Sequence, residues 1–159
     1  MLITVGPAKL LEAPDSPAVH KTSPEIVSVE NASGAMRVIP FGDGRGVEAL
    51  RAIRAGEVIE RSPVILVPEH DRVAVDASNV GSYIFMWEHD TTGEDLYSQK
   101  GRAAVVLGYT SLINHSPDPN CTIVRYIDAL AIDLIALRDI AAGEELRIDY
   151  HMTLWFTPI

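Results

Sequence analysis

Asn114-His115-Ser116-Pro117-Asp118-Pro119-Asn120 is the densest polar stretch of the chain and directly follows the apolar run 105–113. Its two prolines fix φ, remove two backbone donors and push Ser116 and Asp118 out of the helical region, so the stretch reads as a rigid loop. Taken alone, Asn, Asp and Pro at this density make a turn. The flanking sequence decides the fold. From Ile26 onward, short Val- and Ile-rich runs are separated by Gly, Pro, Asn and Asp, the pattern of a mainly β domain with many turns. Predicted strands are 26–29, 36–39, 47–51, 58–60, 64–67, 123–126, 130–137 and 145–150, and only 78–87 and 102–113 read as short helices.

Two segments echo each other. Leu50-Arg51-Ala52-Ile53-Arg54-Ala55-Gly56-Glu57 matches Leu137-Arg138-Asp139-Ile140-Ala141-Ala142-Gly143-Glu144 at Leu, Arg, Ile, Ala, Gly and Glu. Each reads as a strand that ends, a Gly corner with positive φ, and a new strand opening on Glu. Two copies this far apart do not make a solenoid. They predict two similar corners in one β framework.

The 159 residues carry 13 Lys plus Arg against 22 Asp plus Glu, a formal charge of -9, which argues against nucleic acid as a partner. A single cysteine, Cys121, excludes an internal disulfide framework and a Cys-rich zinc site. Residues 1–24 hold Pro7, Pro14, Pro17 and Pro24 and read as an arm ahead of one domain over 25–159. The longest apolar packet, 129–137, is broken by Asp133 and falls short of the roughly 20 residues of a membrane span. The start of the chain lacks the basic flank of a signal peptide, so an intracellular soluble protein without membrane contact is expected.

Generic chemistries fit poorly. Ser116 beside His115 lacks a nucleophile elbow, and adjacent side chains rarely face each other. Glu88, His89, Asp90, Asp149 and His151 follow no established metal-ligand spacing, so no metal is expected. Gly42-Asp43-Gly44-Arg45-Gly46 lacks the Lys-Ser/Thr of a phosphate loop and reads as a hairpin turn.

In chain order, Gly44-Arg45-Gly46 leading to Ile53-x-Ala-Gly-Glu57, Asn114-His115-Ser116-x-x-Pro119-Asn120, and Gly143-Glu144-Glu145-Leu146-Arg147-Ile148-Asp149-Tyr150 resemble the SET domain of protein-lysine methyltransferases. The stretch 107–113 is most similar to the compact SET proteins of bacteria and some viruses. The resemblance covers residues 26–156. It implies a β-clip-like fold of small curved sheets with a C-terminal pseudoknot near the Asn-His motif and one or two short helices.

The resemblance also implies S-adenosylmethionine as cofactor, held by Gly44, Arg45, Gly46, Asn114, His115 and Tyr150, with Tyr150 as the catalytic residue. The acceptor is then a lysine amine in a Lys-rich basic protein such as a histone, a histone-like protein or a ribosomal protein. A catalytically silent module that binds a basic peptide is the alternative. Tyr109, Ile123 and Tyr126 are expected along the lysine channel; where many members carry an aromatic residue just after Pro-Asn, this chain has Cys121, Thr122 and Ile123, and its first aromatic is Tyr126. The zinc-binding Cys cluster of many members is absent after Tyr150, so Trp155 and Phe156 are expected to cover the cofactor or the channel. Tyr83, Phe85 and Trp87 read either as groove aromatics or as core. A homodimer stays open, and the compartment is the cytoplasm for a bacterial protein, the nucleus for a eukaryotic, viral or effector one.

Overall fold

The computed structural model describes residues 29–30, 33–42, 44–88 and 101–150. The predicted arm over 1–24, His89, Asp90, His151, Trp155 and Phe156 lie outside the described residues.

The described chain folds into short strands. An antiparallel sheet of β1 (Val29–Glu30), β2 (Met36–Phe41) and β3 (Gly44–Ala49) has that order. A second sheet has the order β5 (Ile84–Met86), β6 (Ala103–Val106), β4 (Val58–Val67), β9 (Ala131–Ala136), β8 (Cys121–Tyr126). Between the two, β10 (Arg147–Ile148) pairs in parallel with β7 (Asn114–His115), which lays the C-terminal segment across the Asn-His loop where the family crossing is expected. No helix among the described residues is long and apolar enough to cross a membrane.

Two predicted strands, 58–60 and 64–67, are one strand with two partners. Residues 58–63 of β4 pair with β9, whereas 64–67 pair with β6. Pro63 stands at the handover, where its missing N–H interrupts neither ladder while its carbonyl accepts from Leu107 N–H at 2.9 Å. Both predicted helices are corrected. Residues 78–87 form a 3₁₀ turn, Asn79–Tyr83, and then β5; residues 102–113 form β6 and then a 3₁₀ turn, Tyr109–Leu112. Val105 and Val106 favour a pleated surface, and burial against β4 outweighs any helical spacing around them. The α-helix among the described residues, α1 (Arg72–Asp76), lies outside both predicted spans.

The main core gathers Met36, Val47, Ile53, Ile113, Cys121, Leu134, Ile140, Leu146 and Ile148 from every sheet. Each fully buried Ile or Leu contributes roughly 1.5–3 kcal/mol. Val64, Trp87, Ala104, Val106 and Ile132 form a second cluster, and Phe85 and Ile123 pack against both.

The two echoing corners face each other. Ile53 and Ile140 exchange N–H···O bonds of 2.9 Å in each direction. Gly56 N–H donates to Ala136 O at 2.8 Å and Gly143 N–H to Ala49 O at 2.7 Å, with φ of 80° and 83° at the two glycines. Arg51 binds Glu57 at 2.5 Å and Arg138 binds Glu144 at 2.6 Å. In each corner the same Glu also accepts from the backbone N–H three residues earlier. The corners are related by a local two-fold at the isoleucine pair.

Ile53→Ala and Ile140→Ala should each cost about 2–5 kcal/mol in urea denaturation. Their effects should be non-additive by at least about 0.5 kcal/mol, since each side chain packs at the same junction. Purely additive losses would mean that the corners fold independently. Burial pushes the Cys121 thiol up to about 12, so Ellman's reagent should label it only as the protein unfolds.

Candidate active site

The β2–β3 hairpin delivers the Gly44-Arg45-Gly46 turn against β7. At Gly46 an added Cβ would lie 2.9 Å from Glu145 Oε1 and 3.1 Å from Asn114 Nδ2, so any side chain there would displace the Glu145–Asn114 pair. Asn114 Nδ2 donates to Arg45 O at 3.2 Å and to Glu145 Oε1 at 3.0 Å. Its amide nitrogen therefore pins the turn to the loop. Glu145 also receives Arg147 Nε at 2.9 Å, and the Arg147 guanidinium lies 5.2 Å from the Phe41 ring centre.

The Asn-His loop is held from within and from below. Ser116 Oγ accepts from Asp118 N–H and donates to Asp118 O, both at 3.1 Å, so the hydroxyl belongs to the turn and is not directed at a base. Asn120, 3% exposed, closes the loop: Nδ2 donates to Glu144 Oε1 at 3.0 Å and Glu145 O at 2.8 Å, while Oδ1 accepts from Arg147 N–H at 2.8 Å. A buried amide satisfied this fully fixes the backbone it binds, here the segment leading to Tyr150. Ser116 N–H, donating to Ile148 O at 2.9 Å, extends the same register.

His115 and Tyr150 meet at the end of this segment. His115 Nδ1 accepts from Tyr150 N–H at 3.2 Å and lies 3.7 Å from Asp149 Oδ1, with the His and Tyr ring centres 5.3 Å apart. An accepting Nδ1 assigns the ring proton to Nε2. The Tyr150 hydroxyl donates to Ile113 O at 2.8 Å, and burial pushes its pKa above the ordinary 10. The phenol is therefore neutral, its proton directed at a backbone carbonyl.

A cleft of about 190 Å³ opens beside these residues, lined by Gly44, Arg45, Ser82, Tyr83, Ser111, Leu112, Ile113, Asn114 and Tyr150. Among the described residues that line it there is no carboxylate. The Arg45 guanidinium sits 5.7 Å from the Tyr83 ring centre and 3.3 Å from its hydroxyl.

Of the sequence-predicted site residues, Gly44, Arg45, Asn114 and Tyr150 line the cleft; Gly46 and His115 stand directly behind it. Tyr109 and Ile123 pack against the core, Phe85 joins them there, and Trp87 is 2% exposed. Tyr126 is 40% exposed, its ring centre 5.1 Å from the Arg61 guanidinium. Ser82, Ser111, Leu112 and Ile113 line the cleft without a side-chain motif to announce them. Ile113 contributes a carbonyl, which only its position before Asn114 hints at. Among the described residues no group of His, Cys, Asp and Glu is arranged to hold a metal, and Glu88 pairs with Arg102.

Glu144 has an acid-titration consequence. The Arg138 guanidinium, then the Asn120 amide and the Ala141 N–H, hold its carboxyl down to about 2, against an ordinary value of 4.5. A depressed carboxylate contributes stability that is complete above the unfolded value and is lost as pH falls through the folded one. Wild type should therefore lose denaturation midpoint between about pH 4.5 and 2 more steeply than Glu144→Gln. Parallel curves would mean that this carboxylate is energetically idle.

The SET domain family model matches residues 44–151, more than half of the chain. The H3 lysine-37 specific histone-lysine N-methyltransferase of Schizosaccharomyces pombe is 32% identical over 114 residues, covering 71% of this chain and 70% of that protein. N-lysine methyltransferase KMT5A of Xenopus tropicalis is 33% identical over 135 residues, covering 79% of this chain and 38% of that protein. Much of the length of some relatives thus has no counterpart in the aligned region. A crystal structure of a candidate histone methyltransferase from Plasmodium falciparum superposes with a TM-score of 0.50 at 20% identity, over 82% of this chain and 100% of that one, which supports the fold. With the Gly turn, the Asn-His loop and Tyr150 all inside the matched residues, the chain belongs to the SET-domain family.

Proposed function

We propose that the protein is a protein-lysine N-methyltransferase that uses S-adenosylmethionine and acts on a Lys-rich basic protein of the histone, histone-like or ribosomal kind. The observation that carries this reading is the neutral Tyr150 phenol at a cleft whose described lining residues include no carboxylate, its proton held by Ile113 O. Histone-lysine methyltransferases among the relatives support the same class of reaction.

The donor set suits the cofactor. Arg45 offers a cation to an amino-acid carboxylate; Ser82 and Ser111 offer hydroxyls; Leu112, Ile113 and Tyr83 offer apolar surface to a flat ring. Asn114 acts chiefly by shaping this wall, because its amide nitrogen is engaged by Arg45 O and Glu145. When bound, S-adenosylmethionine supplies an electrophilic methyl on a sulfonium centre.

The chain's own residues then have positioning work. A lysine amine attacks only when neutral, although its ordinary pKa is near 10.4. Arg45, with no carboxylate among the described lining residues, disfavours the ammonium, so the amine arrives deprotonated, its proton left to solvent. Tyr150, its own hydrogen given to Ile113 O, keeps oxygen lone pairs to accept from the amine N–H and from polarised C–H groups. Neither Tyr150 nor His115 serves as a strong base: the phenol is pushed up by burial, and the accepting His115 nitrogen already holds Tyr150 N–H. Exposed acids such as Glu69, Asp118 and Asp128, in a chain of net charge -9, attract a basic segment.

The test incubates the protein with methyl-labelled S-adenosylmethionine and histone or ribosomal protein mixtures. Wild type should bind the cofactor in calorimetry and label lysine, and Tyr150→Phe should bind similarly yet transfer at least roughly 100-fold more slowly, the scale of lost alignment. His115→Ala should lose transfer as well, and a chelator should change nothing. Binding without transfer to any substrate would favour the silent peptide-binding module. Absence of cofactor binding would end the enzyme reading.

A further inference from the structure

We propose that Glu60 is a positioning residue for methyl transfer, acting on Tyr150 through the 3₁₀ turn Tyr109–Leu112. The proposal rests on the reading of Tyr150 above. It is carried by an unbroken chain of hydrogen bonds from one sheet to the cleft.

Glu60 lies in β4 opposite Leu134. One carboxylate oxygen accepts from Thr110 N–H at 2.8 Å and from Thr110 Oγ1 at 2.7 Å; the other accepts from Tyr109 N–H at 3.2 Å. These amides open the turn, and the residue before it, Gly108, supplies no side-chain cap. Glu60 therefore takes the place of a local cap from a distant strand. Thr110, 0% exposed, passes the constraint on, since its carbonyl accepts from Ile113 N–H at 3.4 Å. Ile113 O then holds the Tyr150 hydroxyl at 2.8 Å.

Space at Gly108 supports a built contact. A Cβ there would lie 2.0 Å from Ser62 Oγ and 2.7 Å from Glu60 Oε2. Backbone and carboxylate approach closely only because residue 108 has no side chain. The backbone at Gly108 is extended, so the requirement is for room and not for a special φ.

A carboxylate suits this position because it accepts all three donors at once, whereas an amide offers one oxygen. Loss of the cap lets the turn relax, and Ile113 O moves with it. The Tyr150 hydroxyl then rotates, and its lone pairs no longer face the reacting centre in one orientation. A residue that merely stabilised the fold would change the unfolding midpoint and leave this hydroxyl alone.

Four variants test the proposal in the full chain. Glu60→Gln and Thr110→Val should lower kcat roughly 10- to 100-fold with the cofactor Kd within about twofold of wild type, while Thr110→Ser, which keeps the hydroxyl, stays near wild type. On a Tyr150→Phe background, Glu60→Gln should cause no further loss, because the group it positions is gone. Equal fold-losses in both backgrounds, or a Kd that weakens in step with kcat, would overturn the proposal.

A second readout needs no turnover. In protein labelled with carbon-13 at tyrosine Cζ, the Tyr150 resonance is the one missing from Tyr150→Phe, and Glu60→Gln should shift it and change its titration. An unmoved resonance would overturn the proposal. A protein that transfers no methyl group would refute the proposed function, while the role of Glu60 would still be decided by this resonance.

Discussion

Two backbone hydrogen bonds between Ile53 and Ile140, each 2.9 Å, hold the framework on which the cleft depends. They fix the separation of the two Gly corners, and through Ala49 and Ala136 those corners bind β3 and β9 to each other's flanking chain. Both isoleucines are almost fully buried, so the pair is locked by packing as well as by bonding. Beyond the second corner, Leu146 N–H donates to Val47 O, and Glu48 bridges Glu145. The chain is thereby delivered alongside β7 in the one register that sets Tyr150 beside His115.

The symmetry of the corners breaks where the site begins. Asp139 caps Ala55 N–H at 2.8 Å, whereas its counterpart Ala52 has no side chain that could return the bond. Among the described residues the Glu57 carboxylate binds within its own corner, but the Glu144 carboxylate reaches beyond its corner to Asn120. One corner closes the scaffold; the other couples the scaffold to the Asn-His loop. The same residue pattern thus yields two roles because the neighbours differ.

This explains what the sequence made legible. The echo of 50–57 in 137–144 read correctly as two corners, since Gly-Glu after an apolar strand end is local turn chemistry. The loop 114–120 was legible for the same reason, through Pro117, Pro119 and its flanking Asn residues. Helix and strand were confused at 78–87 and 102–113, where the deciding partner, β4 or a neighbouring strand, lies far away in sequence. Tyr126 is legible as the first aromatic after Pro119-Asn120, and strand alternation puts it on the Arg61 face. Glu60 and the Ile113 carbonyl were illegible, because one belongs to a strand and the other is backbone.

Ion pairing explains how an acidic chain keeps the described wall of its cleft free of acid. Glu48, Glu57, Glu88, Asp133, Glu144 and Glu145 are each paired with an arginine, and Glu60 is bound to backbone and threonine. Such pairs cancel locally, and among the described residues acids such as Glu69, Asp118 and Asp128 are exposed. Long-range attraction for a basic segment and short-range rejection of its charge then act in different places. On the proposed reading, a lysine is drawn in by the exposed acid as an ammonium and becomes reactive only on leaving that field for the environment of Arg45 and the neutral Tyr150 phenol. A carboxylate lining the cleft would strengthen binding of the charged lysine and, by the same interaction, hold it in its unreactive form.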